Sequence, residues 1–413
     1  MESAWEMPGR RANAAGCQWI VPITRITMNN WTTRSIETNR VVAVLLLAGS
    51  LACGACSSSK GDQAGAGEAM RSGGRAGPSG QTGQSGQSGQ TSQAGQGSRG
   101  PVSVATQLSD AQLREQCIGI LTTALGASQP EQVGNAIEGL LQAPARLEPS
   151  LARLLTNESP AVRAIAAKAI ARGKLANAAE STRPLLTDPV SIVRSAAIFA
   201  LAANGLKVDP TPLATMLKTG QPRERAEAAY ILGELGNTSA VTLLRDGAST
   251  PMPRADAVEA RLAYLQMAEA MVKLGEDSAI NEVRAALYPA RPEDLEATVL
   301  AAQIIGQVKD KQSAAQLIYL TADKDPMGNP YPAEVRLQIA GSLAKLGNSR
   351  GVYIADEFAK SAKPVLRAQA VSVYGETRQR EFLAKATAMI NDPDGIVRIY
   401  AATAVLKILE AAR

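Results

Sequence analysis

An apolar stripe at helical spacing recurs along the chain from about residue 130 to the end, and each copy is centred on an arginine or on a residue that takes its place. Around Arg336, for example, apolar side chains stand one residue before and three, seven and ten residues after it: Val335, Ile339, Leu343 and Leu346. Such spacing puts all four on one face of an α-helix. The pattern therefore predicts one amphipathic helix for each copy.

The copies form a repeat, which is the most informative feature of the sequence. Six anchors are arginines and make up what we call the arginine ladder: Arg163, Arg194, Arg225, Arg336, Arg367 and Arg398. When weaker copies are aligned by their alanine and Leu/Ile-Gly positions, Tyr264 and Thr298 occupy the anchor position. Four spacings are 31 residues, and the three around the central copies are 34 to 39. A period of this size predicts a stacked array of helical units.

Each unit is predicted to be a helical hairpin. Proline lies three to five residues ahead of most ladder arginines and suits a first helical turn, and Asp188 and Asp392 are well placed as N-caps. Glycines predicted to close three helices are Gly236, Gly275 and Gly347. Shorter second helices are predicted at Ala240–Arg245, Ser278–Leu287, Ala314–Thr321 and Gly351–Lys360. The sequence thus predicts an all-α protein.

The phrase D-P-x-x-x-V-R-x-A-A, read at Asp188 through Ala197 and again from Asp392, resembles the short HEAT-like repeats that are also found in phycobilin lyases. The resemblance covers about residues 130–413. It implies a right-handed α-solenoid of about eight to nine hairpins, with the arginine-bearing helices on the concave face. Residues 110–141, opened by a capping box of Ser109 and Gln112, are similar to the N-terminal cap of such arrays. The family includes lyases, adaptors and scaffolds, so it implies no single activity.

The ladder has two interpretations, an anion-binding stripe or a set of stacking contacts with acidic or carbonyl groups of the next unit, and we favour stacking. The ladder lapses at the central units, where the longer loops Gly247–Ala257 and Ala322–Ala333 stand. Long loops of a solenoid often bind partners, although they also arise by drift. On this basis Tyr264, Met327 and Tyr331 are predicted partner-binding residues.

Composition argues against several kinds of site. Residues 1–106 hold 9 of the 43 basic and 5 of the 38 acidic residues, which leaves 34 and 33 in the array and no support for nucleic-acid binding. The chain has no histidine, the commonest general base, so we expect no catalytic residues and no cofactor. Cys117, which is close to Ile118 and Ile120, is interpreted as a small apolar core residue.

A partial calcium loop is the one metal pattern in the array. Asp323, Asp325, Gly328 and Glu334 fall at positions 1, 3, 6 and 12 of an EF-hand loop, but Met327 occupies position 5 and three prolines fit that loop poorly. We therefore predict no metal site.

The first hundred residues are predicted to direct the protein to its place in the cell and to lie outside the repeat array. Residues 41–52 form an apolar run after Arg40, too short to span a bilayer, and Cys53 follows a small residue, which resembles a bacterial lipoprotein signal. Cys53 is the predicted lipid-attachment residue, Cys56 fits less well, and an uncleaved signal anchor is the alternative. The signal is complete from Met28, which is the more plausible start.

Three segments follow from this interpretation: a leader with signal peptide at 1–52, a lipidated cysteine with a flexible Gly/Ser/Gln tether at 53–106, and the repeat array at 107–413. We expect a lipid-anchored scaffold, facing the periplasm or the cell surface, that binds a protein or peptide of the bacterial envelope. We expect no chemistry of its own, no nucleic acid and no small-molecule substrate. The alternatives are a bilin-lyase-like enzyme and a passive envelope spacer.

Overall fold

The structure, a computed structural model, describes residues 108–252, 255–322, 324 and 328–412. The leader, the tether, Cys53 and Met327 lie outside these residues, as do Asp323 and Asp325 of the partial calcium loop. Within the described chain, none of the helices combines the length and the apolar character needed to cross a membrane.

The described array is all-α and has two layers of helices, as the repeat pattern predicts. The inner layer consists of the helices that carry the repeated stripes, each packed on the next: α2 (Pro130–Leu140), α5 (Pro160–Arg172), α7 (Ser191–Ala203), α9 (Pro222–Leu235), α11 (Ala257–Lys273), α13 (Leu295–Val308), α15 (Ala333–Lys345), α17 (Pro364–Thr377) and α19 (Gly395–Ala411). Alanines on facing sides of these helices are fully buried, which lets neighbouring helices approach closely.

The outer layer precedes each inner helix with shorter and less regular segments. Its helices are α1 (Asp110–Ala124), α3 (Pro144–Leu147), α4 (Leu151–Leu155), α6 (Ala176–Ala179), α8 (Thr211–Thr219), α10 (Ala240–Ser249), α12 (Ile280–Ala285), α14 (Ala314–Ala322), α16 (Val352–Phe358) and α18 (Leu383–Thr387). Single 3₁₀ turns at 148–150, 277–279, 292–294, 311–313, 349–351 and 380–382, and a longer 3₁₀ segment at Glu180–Thr187, complete this layer. Nine hairpins result in the described chain, each an outer segment followed by an inner helix.

Helix boundaries follow the predicted signals at several positions. Ser109 and Gln112 form the capping box at the start of α1, with reciprocal bonds of 3.3 and 2.9 Å. Gly236, Gly275 and Gly347 follow helices α9, α11 and α15 with φ of 73°, 93° and 79°, a left-handed conformation that glycine adopts without strain. The capping box and the glycine ends of these helices are confirmed.

The predicted N-caps at Asp188 and Asp392 are wrong. Helix α7 begins at Ser191 and α19 at Gly395, so each aspartate lies three residues ahead of its helix. Each carboxylate instead accepts a bond of 2.9 Å from the backbone N–H two residues later, a local turn, and receives an arginine of the preceding unit. The carboxylates of Asp188 and Asp392 therefore bind the guanidinium of the preceding unit and do not cap their own helices.

The array closes on itself. The last helix, α19, packs against both α1 and α2 at the other end of the chain, and apolar residues of the first and last hairpins belong to one continuous core cluster. Glycine makes part of this approach possible, since a Cβ on Gly139 of α2 would collide with Thr403 of α19 and lie 2.9 Å from Leu121 Cδ1. The array is therefore a closed ring of hairpins rather than an open solenoid with two free ends.

Closure changes the expected role of residues 110–141. An N-terminal cap was predicted for them, and in a capped array the outer face of the cap is turned to solvent. Here the apolar side of α1, which includes Leu113, Cys117 and Leu121, is buried. This segment is the junction of the ring and covers the last unit as well as its own.

Candidate functional site

Two ladder arginines join consecutive units. Arg163 donates to both carboxylate oxygens of Asp188 at 2.9 and 3.1 Å, and Arg367 donates to those of Asp392 at 2.9 and 2.8 Å. The other terminal nitrogen of each arginine donates to two carbonyls five and six residues earlier, so each guanidinium ties the loop before its own helix to the next loop. The Arg367 guanidinium beside Asp392 lowers the pKa of that carboxyl. These four side chains are mostly buried.

The remaining ladder arginines make parts of the same arrangement. Arg194 and Arg398 donate to the two carbonyls before their own helices. Arg225 is buried and donates to carbonyls of the loops on either side of its helix. Arg336 pairs with Glu357 of the next outer helix at 2.9 Å. Each ladder arginine thus contacts the loop before its own helix, a neighbouring unit or both, and the stabilising role of the ladder remains a prediction.

The two central anchors use other chemistry. Thr298 is buried, and its hydroxyl donates to the carbonyls of Ala286 and Asp294 at 2.9 and 3.2 Å, both in the segment between α12 and α13, so it holds the segment before its own helix as Arg194 does. Near Tyr264 the link to the next unit comes from Arg261, one turn earlier, which donates to Asp294. The repeat alignment correctly places Tyr264 and Thr298 on inner helices, but it does not identify Arg261 as the residue that contacts the next unit.

The inner face of the ring carries ion pairs between helices. Those with mostly buried side chains are Lys168–Glu227, Lys273–Glu234, Lys273–Glu269 and Lys407–Glu376 at 2.7 Å, and Arg172–Glu138 at 2.5 Å. The first pair joins α5 to α9 across the intervening α7, and the ammonium groups of Lys168 and Lys273 lie 5.5 and 5.7 Å from the centre of the Tyr230 ring. Side chains from three helices therefore converge at the axis of the ring.

The charges at the axis control one another's protonation. Burial disfavours the charged form of Glu376, but Lys407 and Lys345 beside it lower the pKa of this carboxyl to about 2. Burial raises the pKa of the Tyr230 hydroxyl well above its usual range, so the phenol stays protonated. The inner face consequently holds fixed, alternating charges at neutral pH.

A cavity of about 150 Å³ opens along one side of the axis, between α2, α15, α17 and α19, with Arg172 of α5 and Gln303 of α13 at its edges. Its polar lining includes Asn135, Gln338, Gln369, Ser372 and Tyr400, and Leu337, Val373 and Ile399 supply an apolar wall. Two ion pairs of the axis, those of Glu138 and Glu376, also line it. This partly open cavity is the candidate site for a small molecule.

Sequence reasoning missed the axial charges, although a signal was present. The residues nine positions after the eight anchors are Arg172, Ala203, Glu234, Lys273, Gln307, Lys345, Glu376 and Lys407, and five of them take part in the axial ion pairs. Positive, negative and neutral residues succeed one another at this position, which indicates side chains that meet those of neighbouring units. A search of the repeat for correlated charges at a single position would have found them.

The predicted partner-binding residues do not form a common exposed surface. Tyr331 is 9 % exposed and packs in the core of the central units, and Tyr264 is half-buried on α11 beside another core cluster. Tyr331 therefore stays a prediction as an interface residue, and its packing in the core leaves little of its ring accessible to a partner. Met327 lies outside the described residues.

The outer face offers a different set of tyrosines. Tyr288 after α12, Tyr319 on α14 and Tyr353 on α16 are 63 %, 61 % and 49 % exposed and belong to three consecutive hairpins. The Tyr353 hydroxyl donates to the carbonyl of Thr321, at the end of the helix that carries Tyr319, at 3.4 Å. We call Tyr288, Tyr319 and Tyr353 the outer tyrosines. Tyr319 and Tyr353 lie near the start of the loop Ala322–Ala333, in which Lys324 and Pro330 form an antiparallel bridge.

Two further groups were assessed for chemistry. Cys117 is fully buried, and burial raises the pKa of its thiol to about 12, so it is an inert core residue. Among the residues that the structure describes, no group of three or more carboxylate or thiol side chains is placed to hold a metal ion.

Comparisons with known proteins give the fold. No family model and no curated protein sequence matches the chain. Among solved structures, the complex of CpcE and CpcF of phycocyanin lyase from Nostoc sp. is similar with 17 % identity over 68 % of this chain and 97 % of that chain, at a TM-score of 0.35. Human deoxyhypusine hydroxylase in complex with glycerol has 16 % identity over 72 % and 98 %, at 0.31. A Kap121p mutant has 10 % identity over 71 % and 42 %, also at 0.31.

All three are HEAT-like helical-repeat proteins, and the array is an all-α solenoid of this general kind. Two of them are named as enzymes, a lyase and a hydroxylase. This finding contradicts the prediction of a protein without chemistry of its own, which rested on the absence of histidine, because the fold also occurs in enzymes.

Proposed function

We propose that this chain is a lipid-anchored protein of the bacterial cell envelope whose closed helical array binds a protein or peptide partner through its outer face. The exposure of three tyrosines on consecutive hairpins is the observation that carries the binding proposal. Tyrosine presents a large apolar ring and a hydroxyl that can exchange hydrogen bonds with a peptide backbone, and it is enriched where proteins bind one another.

The closed ring supports the outer face over the inner one. In an open solenoid the concave face is accessible to an extended partner. In this ring the inner face is occupied by ion pairs and by Tyr230, and the cavity of about 150 Å³ is too small for a folded partner or a peptide of several residues. A macromolecular partner therefore needs the outside of the ring.

The surroundings of the outer tyrosines indicate the chemistry of the partner. Exposed charges of both signs lie on the same outer segments, for example Glu282, Lys311 and Lys360. No strong single-sign field is available to attract an acidic or basic partner. We expect a partner segment of low net charge whose apolar and backbone groups contact the tyrosine rings.

The anchor proposal rests on the apolar run 41–52, the small residue before Cys53 and the polar tether after it. Two acyl chains are needed for stable rather than transient membrane attachment, so the mature protein should begin with a diacylated Cys53. Mass spectrometry of the native N-terminal peptide tests this. Unmodified residues upstream of Cys53 in the mature protein would refute it.

Crosslinking in intact cells tests the binding surface. The double variant Tyr288→Ala/Tyr319→Ala should remove two exposed rings without touching the core and should lose most capture of a discrete partner. The matched control, Glu282→Ala/Lys311→Ala, changes exposed side chains on the same segments and should keep capture. Equal capture by both variants would move the surface elsewhere, and a diffuse or polymeric crosslinked product in the wild type would support the spacer instead.

A further inference from the structure

The cavity at the axis holds a lysine that has no acidic partner of its own. Lys345 lies at the end of α15 and lines the cavity. In the described chain its ammonium makes no ion pair and no hydrogen bond, whereas the other cations of the cavity, Arg172 and Lys407, pair with Glu138 and Glu376. Glu376 lies near Lys345 but is bound by Lys407 at 2.7 Å.

Lys345 is half-buried, so its ammonium has lost part of its contact with water without gaining an acidic partner. Burial lowers the pKa of Lys345, and the like charge of Lys407 lowers it further, while Glu376 and Glu269 act in the opposite direction. Buried charges in proteins are normally paired or hydrogen-bonded, because taking an ion out of water costs several kcal/mol. The position would be stabilised by a negative charge placed in the cavity beside Lys345.

The rest of the lining suits an anion with an apolar part. Amide and hydroxyl groups of Asn135, Gln338 and Ser372 can donate hydrogen bonds. Gln369 has its amide oxygen buried without a hydrogen-bond partner, and turning that amide over would present its NH₂ group instead. Burial raises the pKa of Tyr400, which keeps its hydroxyl a donor at neutral pH.

Charge and size select the ligand class. One unpaired cation can neutralise one negative charge, and a second charge on the ligand, as on a phosphate monoester, would remain uncompensated. A cavity of about 150 Å³ is of the size that holds a benzene-like molecule. Leu337, Val373 and Ile399 can pack against a small hydrocarbon group.

We infer that the axial cavity is a binding site for a small organic monocarboxylate, whose carboxylate contacts Lys345 and whose apolar part packs on the wall formed by α15, α17 and α19. The site is independent of the outer tyrosines, so it can be right or wrong whatever the outcome of the partner experiment.

Benzoate, an aromatic ring with one carboxylate, is the probe. Saturation-transfer NMR and calorimetric titration of the full chain should show saturable binding of benzoate, and its uncharged analogue benzamide and inorganic phosphate should bind at least tenfold more weakly. Lys345→Met, which keeps the length of the side chain without its charge, should weaken benzoate binding at least tenfold. Lys218→Met, which alters an exposed lysine on α8, should leave it unchanged.

A thermal melt without ligand separates loss of binding from loss of folding. Because Lys345→Met removes an unpaired cation from a half-buried position in the cavity wall, its Tm should equal or exceed that of the wild type. Equal affinity of the Lys345→Met variant and the wild type for benzoate would overturn the inference. So would the absence of any benzoate binding to the wild type at millimolar concentration, or binding of benzamide as tight as that of benzoate.

Discussion

Arg114 on the first helix donates to Glu410 on the last helix at 3.2 Å, although 296 residues separate them along the chain. Arg114 is mostly buried and also donates to the carbonyl of Gln142, whereas Glu410 is half-exposed. Beside it, Arg380 pairs with Asp110 across the same junction. An ion pair with an exposed member contributes little to stability by itself, so the helix packing beneath these pairs must hold the ring closed.

Gly139→Ala should destabilise the ring at that junction. The added methyl group would collide with Thr403 and approach Leu121 at 2.9 Å, and such overpacking costs about 1–3 kcal/mol. Gly119→Ala on the exposed side of α1 is the matched control, since a Cβ there meets nothing within 4 Å and alanine favours a helix. Urea unfolding should give opposite signs for the two changes. Equal stability of Gly139→Ala and the wild type would contradict the close packing of α2 on α19.

Arg367→Ala should cost more stability than Arg398→Ala. Arg367 makes a two-pronged contact with Asp392 in the next unit, in addition to the carbonyl bonds that both arginines make. Charge-assisted bonds to a mostly buried carboxylate are worth about 1–3 kcal/mol. Denaturant titration of both variants measures the difference, and a double-mutant cycle with Asp392→Ala isolates the pair. If Arg367→Ala keeps its stability but loses partner capture, the ladder is a ligand site.

Glu376→Gln should be strongly destabilising, because it breaks the ion pair with Lys407 and removes a favourable negative charge from the surroundings of Lys345. Removing one member of a buried ion pair typically costs about 3–5 kcal/mol. Glu115→Gln, which breaks an exposed pair with Arg146, is the control and should change stability little. Comparable thermal shifts for the two variants would indicate that the axis is well hydrated.

The same carboxylate predicts how stability depends on pH. The pKa of Glu376 is lowered in the folded ring from 4.5 to about 2, so the unfolded chain takes up its proton first as the pH falls. The contribution of Glu376 to stability is therefore present above about pH 4.5 and is lost as the pH falls toward 2. The free energy of unfolding should fall less steeply across this window in Glu376→Gln than in the wild type. Parallel curves would show that other carboxylates dominate.

Tyr331→Ala and Tyr319→Ala should distinguish a tyrosine that stabilises the core from one that is available to a partner. Tyr331 is buried among the central units, and its truncation should cost about 3 kcal/mol of stability. Tyr319 is exposed, so its truncation should leave the unfolding transition in place and, on the proposed function, weaken partner capture. Melting curves and crosslinking of the two variants provide the comparison. An unchanged melting curve for Tyr331→Ala would return this residue to the list of interface candidates.

The sequence is sufficient for the hairpins because their signals are local. The stripe around Arg336 and the glycine ends at Gly236 and Gly347 each act within one helix, and the structure has these elements where the pattern predicts them. The prediction of Asp188 as an N-cap was wrong, because its carboxylate accepts from Arg163 of the preceding unit. Capping rules consider only residues within one helical turn, and Arg163 lies 25 residues away.

Closure and the axial site could not be predicted in the same way. Whether an array closes depends on small rotations between units that add up over nine hairpins, and no single residue encodes them. The pairing of Lys168 with Glu227 spans two units and exists only because the ring brings α5 and α9 together at its axis. The same holds for the unpaired position of Lys345, which becomes unusual only once its neighbours are known.

Closure also sets when the molecule can finish folding. The apolar side of helix α1 is fully buried only after the last helix, Gly395–Ala411, has left the ribosome or a translocation pore and packed against it. At a synthesis rate of about 5–20 residues per second, the 296 residues between Arg114 and Glu410 correspond to roughly tens of seconds. During that interval the apolar side of α1 needs a chaperone or a transient neighbour. An open array can fold progressively from any unit. This ring closes only when its last helix is present, so no shorter segment of the array can bury all of its apolar surface.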